Sequence, residues 1–212
     1  MTHLKDRITQ HADRSEPLLQ QTASIDSTAA SDKELSKYRA TVELCASLKL
    51  DAALPNGYAE HAAILFSAFF RHAEREVRIY SGQLYGGVFD SEEDVSKEAI
   101  KFLRKDKDCR LQIAISEDIN PSEFMKKPFI AKILSEPDIK NKLSISNVFG
   151  KSSGNHFAVM DQTAYRYETS HQKKQAVANF GDPAQAEELY NKFESIVKQA
   201  PLMFPQSAPP CS

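Results

Sequence analysis

Two hydrophobic periods stand back to back in this chain, and together they restrict its fold more than any other feature. Ala62, Leu65, Phe66, Phe69, Phe70 and Ala73 recur at helical spacing, which predicts an amphipathic helix with an aromatic buried face. His61, Arg71, His72 and Arg75 fall on its other side and are expected to form a solvated polar face. Val77-Arg78-Ile79-Tyr80 follows at once and alternates, as a strand does.

The switch between periods continues along the chain. Ser31 to Leu48 reads as a helix and Pro55-Asn56-Gly57 as a turn. Gly82, Gly86 and Gly87 break the chain after the first strand. Ser91 to Arg104 is a predicted helix, with Ser91 as cap and Asp94 at the capping-box distance. Cys109 to Ile115 alternates again, Pro121-Ser122-Glu123 opens a helical stretch, and Leu143 to Val148 is a strand. His156 to Met160 and Thr163 to Glu168 form a hairpin around Asp161-Gln162, and Gln175 to Phe180 is a further strand. Asp182-Pro183 then caps and opens a last helix whose stripe is Ala186, Leu189, Tyr190, Phe193, Ile196 and Val197. This order predicts an α/β fold: a mixed β-sheet flanked by helices on both faces. Residues 1–35 are expected to be a polar arm, 36–200 the α/β domain, and 201–212 a proline-rich tail without fixed structure.

Bulk properties exclude several function classes. A net charge of −2 over 212 residues rules out a whole-surface electrostatic binder of nucleic acid or anionic membrane. The segment from residue 95 to 151 does carry twelve Lys or Arg against eight Asp or Glu. Interleaved Asp106, Asp108, Glu117 and Asp118 make that a solvated surface before a phosphate-binding one. Cys45, Cys109 and Cys211 give no disulfide framework and no CxxC pair, so no metal site and no cofactor is expected. No apolar run approaches a membrane span and no secretion leader is evident. A cytoplasmic protein without membrane insertion is the expectation.

Most familiar site motifs fail on spacing. Gly150-Lys151-Ser152 looks like the end of a phosphate-binding loop, but the glycine that loop needs at position 145 is Ile145. No GxSxG and no GxGxxG occur. What remains is Asn155-His156-Phe157-Ala158-Val159-Met160-Asp161, a strand carrying His and ending in Asp, followed by a hairpin and then Ala176-Val177-Ala178-Asn179-Phe180. Over roughly residues 58 to 200 this resembles one repeat of the phospholipase D-like superfamily. That family's motif is His, any residue, Lys, four residues, Asp, with a small-residue segment ending in Asn downstream.

The resemblance implies that His156 is the nucleophile or a residual ligand contact, and that Asn179 contacts phosphate. The motif lysine is missing: its position is Ala158. Asp161 lies five residues after His156 rather than seven, and Val177 stands where a hydroxyl-bearing residue is usual. Such departures point to catalysis that is lost or rebuilt. Lys173 and Lys174 are the candidate replacement cations from the neighbouring strand, with exposed solubilising lysines as the alternative. For His156 the alternative is a hydrogen-bonded structural histidine. The expected function is a non-catalytic or weakly catalytic domain binding a phosphate-bearing ligand or a protein partner. The alternatives are a phosphodiesterase or nuclease using His156, and a structural subunit contacting its assembly through the N-terminal arm. One motif per chain implies a homodimer.

Overall fold

A computed structural model describes residues 32–90, 95–150, 154–170, 175–198 and 200–204. Its helices are α1 (Asp32–Leu48), α2 (Ala59–His72), α3 (Gly86–Phe89), α4 (Val95–Lys105), α5 (Pro121–Phe124), α6 (Pro128–Leu134) and α7 (Pro183–Val197). The strands are β1 (Leu54–Asn56), β2 (Glu76–Ser81), β3 (Arg110–Ile115), β4 (Leu143–Asn147), β5 (Phe157–Met160), β6 (Ala164–Ser170), β7 (Gln175–Asn179) and β8 (Leu202–Phe204). They form one sheet in the order β1-β7-β6-β5-β2-β3-β4-β8. The pairs β2–β3 and β3–β4 are parallel and all others antiparallel. The mixed sheet expected from the sequence is thus the one formed.

Helices cover both faces. On one side Val77, Ile79, Leu111, Ile113 and Leu143 meet Phe66, Phe69, Phe70, Phe102 and Phe129 from α2, α4 and α6. On the other, Tyr80, Phe157, Val159, Tyr165 and Val177 meet Ala186, Leu189 and Phe193 of α7. Strands β2, β3, β5, β6 and β7 feed both cores because their side chains alternate. The α7 start is built as its sequence predicts: the Gln185 N–H donates to Asp182 Oδ1 at 3.1 Å, and Pro183 occupies the first turn.

Several local expectations are corrected. Helix α2 is buried all round from Ala62 to Phe70, wider than the expected face; of the polar residues beside it, Arg71 and Arg75 are exposed as expected, while His61 and His72 are half-buried against α1. The His61 ring stacks on Tyr38 with centroids 4.0 Å apart, and Glu43 pairs with both Arg71 and His72. Pro55-Asn56 belongs to β1, an edge strand, where proline's missing N–H removes no ladder bond. Residues 202–204 of the tail are not structureless: they pair with β4 as β8. The Ser91 cap with Asp94, the arm through residue 31 and the tail from 205 lie outside the described residues. Cys45 and Cys109 are buried free thiols. Among the described residues, no helix is long and apolar enough to cross a membrane.

Candidate functional site

Strand β5 runs antiparallel to β2 with Phe157 opposite Tyr80. His156, one residue ahead of β5, therefore lies at the carboxyl end of β2. The carboxyl ends of parallel strands are where open α/β sheets hold ligands. The hairpin that brings β6 back sets Glu168 directly across, its N–H donating to the His156 carbonyl at 2.9 Å. Glu168 Oε2 then meets His156 Nδ1 at 3.0 Å. Glu168 is only 8% exposed, and a carboxylate so buried requires a partner. A carboxylate only accepts, so the proton of a neutral imidazole sits on Nδ1 and Nε2 keeps its lone pair. The ring also packs near-edge-on against Tyr80, with centroids 6.2 Å apart.

The same register sets a cation beside the position of the missing lysine. Ala158 pairs with Arg166 across β5–β6. Directly opposed residues share a face, so Arg166 rises beside His156 over the position of the missing lysine. Its Nε–H donates to Asn56 Oδ1 at 3.1 Å, and the guanidinium lies 5.8 Å from the centre of the Phe66 ring. Burial pulls the Arg166 pKa down, while the Glu168 carboxylate and Tyr38 push it back up. An arginine keeps its charge through such a shift. The two Nη groups make no hydrogen bond among the described residues, and Arg166 lines an adjoining pocket.

That pocket has a volume of about 400 Å³, within the range of small-ligand sites. Ile79, Phe66, Val88 and Phe89 form its apolar wall, and His156, Glu168 and Arg166 its polar end. A second cleft of about 430 Å³ lies at the opposite end of β2, between Arg75, Glu76, Asp108, Arg110, Asp161 and Gln162. Its charges are mixed, and its described lining holds no Ser, Thr, Cys, His or Lys. Asp161 has a structural task there: its carboxylate accepts from the N–H groups of Glu74, Arg75 and Glu76 at 2.6, 2.9 and 2.8 Å. Asp161 and Gln162 are both left-handed, with φ of 49° and 55°. They are the central residues of a turn closed by the Thr163 N–H donating to the Met160 carbonyl at 3.0 Å, inside a three-residue connection between the paired Met160 and Ala164; such left-handed positions usually favour glycine.

Of the residues singled out from sequence, the pocket receives His156. Asn179 is fully buried in register with Tyr165, whose ring belongs to the α7-side core. Its amide donates to Asp51 Oδ1 at 2.7 Å and accepts from the Gly181 N–H at 2.8 Å. Alternation puts it on the opposite face from His156. Lys151, Lys173 and Lys174 lie outside the described residues. Arg166 and Glu168 were missed, although a charged pair two apart in an otherwise apolar, aromatic strand was a visible clue. Among the described residues no group of three or more His, Cys, Asp or Glu side chains is placed to hold a metal.

No protein-family model matches the chain, and no curated protein matches it. Solved structures do. TrmBL2, an archaeal chromatin protein described as showing a novel mode of DNA binding, matches with a TM-score of 0.52 and 12% identity over 93% of this chain and 68% of that one. Nuc from Salmonella typhimurium, a phospholipase D family member, gives a TM-score of 0.49 and 12% identity, covering 72% of this chain and 98% of its own. NucT from Helicobacter pylori gives 0.47 and 11%, covering 71% and 97%. The likeness to TrmBL2 establishes a shared fold and nothing about chemistry.

Proposed function

We propose that the chain binds a phosphate-bearing ligand in the pocket beside His156, as a binding or regulatory domain with little or no turnover. The observation that carries this reading is the pairing of Ala158 with Arg166, which sets a guanidinium where the motif lysine is absent. A guanidinium offers two parallel N–H donors to phosphate oxygens, a stronger contact than one neutral hydrogen bond. When protonated, His156, with its Nδ1–H held by Glu168, adds a second positive group at the same end of the pocket.

Binding leads over hydrolysis because a leaving alkoxide needs a proton. Among the described lining residues His156 is the single imidazole. Hydrolysis remains the second reading, favoured by one feature: Glu168 holds Nδ1, leaving Nε2 with the lone pair needed for attack on phosphorus. A homodimer that brings two pockets together would supply the second imidazole. The DNA binding stated for TrmBL2 makes a nucleic-acid phosphate one source of the ligand group.

Calorimetric titration of the full chain with inorganic phosphate tests the reading, beside His156→Ala and Arg166→Met, with circular dichroism as the folding control. Saturable binding that falls roughly tenfold or more in folded Arg166→Met is expected. Absence of binding, or binding indifferent to both substitutions, refutes it. Turnover of a generic phosphodiester that disappears in His156→Ala would move the protein to the enzyme reading. Sedimentation at micromolar concentration tests the dimer: a mass of 23.8 kDa, that of one chain, removes it.

A further inference from the structure

The pocket carries more than its polar end explains. Two tyrosines at its mouth, Tyr58 and Tyr85, are 45% and 63% exposed. Large aromatic side chains left open at the rim of a cavity are informative where scattered exposed apolar residues are not. Neither ring is loose. The Tyr58 ring stands edge-on against His61, with centroids 5.2 Å apart and planes at 85°. Tyr85 rests on Gly87: a Cβ at that position would lie 2.6 Å from Tyr85 Cε1. Gly82 makes room in the same way for the pocket-lining Glu117, since a Cβ there would overlap its carboxylate. Two of the three glycines after β2, which the sequence marks only as chain breaks, thus clear space for two pocket side chains.

We infer that the ligand is a guanine nucleotide, free or at the end of a nucleic-acid strand. This rests on the phosphate reading above and names what the rest of the pocket holds. A phosphate at Arg166 and His156 leaves the aromatic mouth for a planar group. Tyr58 and Tyr85, both exposed at the rim, are aromatic rings of the kind on which bases stack. Glu117 decides which base. A carboxylate only accepts, so it pairs with an edge carrying two adjacent donors. Guanine offers this through its ring N–H and exocyclic amine. Adenine and cytosine place an acceptor beside their amine, and uracil has one N–H between two carbonyls. The pocket's volume of about 400 Å³ takes a mononucleotide.

The test is calorimetric titration of the full chain with inorganic phosphate, ribose 5-phosphate, guanosine 5′-monophosphate, adenosine 5′-monophosphate and a short single strand with a 5′-phosphorylated guanine end. Guanosine monophosphate should bind roughly tenfold or more tightly than ribose 5-phosphate, and Tyr85→Ala should remove that advantage while leaving ribose 5-phosphate unchanged. Glu117→Gln should erase the preference over adenosine monophosphate. Gly82→Ala, which displaces Glu117 without removing it, should do the same. A strand that outbinds the mononucleotide identifies nucleic acid as the source, and equal or weaker binding identifies the free nucleotide. If inorganic phosphate binds but the guanine compound is no tighter than ribose 5-phosphate or its adenine counterpart, the inference is overturned and the phosphate reading stands. If no phosphate compound binds, both fall.

Discussion

Replacing Phe69 by alanine probes the joint between the aromatic helix and the sheet. Phe69 is 0% exposed at the middle of α2. Its ring meets Phe180 edge-on at 5.3 Å and 84°, and Phe66 at 6.2 Å and 67°. Phenylalanine-to-alanine changes in closed cores cost about 3–5 kcal/mol, the spread reflecting how far the site collapses. Collapse is restricted here, because α2 is held by α1 and α4 on its flanks and by the sheet beneath. The upper part of the range, about 4–5 kcal/mol, is therefore expected. Each 1 kcal/mol shifts the melting temperature of a domain this size by roughly 2–4 °C, so Tm should fall by about 8–20 °C. Such a loss is a large share of the roughly 5–15 kcal/mol that keeps a typical protein folded. Urea unfolding followed by circular dichroism measures it, with Phe66→Ala as comparison. Phe66 borders the pocket, so its removal opens less closed volume and should cost less. A loss below about 1 kcal/mol for Phe69→Ala, or a larger one for Phe66→Ala, would refute this account of how α2 packs.

Two further outcomes follow from the geometry away from the pocket. Asp161→Ala removes one charged acceptor from three backbone N–H groups and should cost roughly 2–3 kcal/mol in the same unfolding assay. Unchanged stability would mean that the strand entry needs no such anchor. His61 titrates below the ordinary imidazole value of 6.5 because burial outweighs the opposing pull of Glu60 and Glu34. The unfolded chain then binds the proton first, so the His61 contribution to stability is lost as pH falls below about 6.5. The stability difference between wild type and His61→Asn should shift against wild type between pH 7 and pH 5, and a difference independent of pH would contradict the burial.

The sequence by itself determined most of the local structure. The 3.6-residue spacing of Leu65, Phe66, Phe69 and Phe70 wrote α2, and Asp182-Pro183 wrote the start of α7. Period-two alternation wrote strands such as β2 and β3, whereas His156 was singled out by motif resemblance and not by periodicity. These are legible because helix and strand periods are properties of neighbours along the chain. What the site is made of was decided only by tertiary structure. Arg166 and Glu168 face Ala158 and His156 through the register of a hairpin, and a one-residue slip would have sent both to the α7 face. The same alternation carried Asn179 to that face, where its amide donates to Asp51. Part of the polar side of α2, at His61 and His72, became an interface because α1 packs on it, and the tail gained a strand because β4 had an open edge. Gly82 and Gly87 acquired meaning from side chains that fill the space above them. Cross-strand neighbours and packed surfaces are set by which segments meet, and that is a property of the whole chain folding at once.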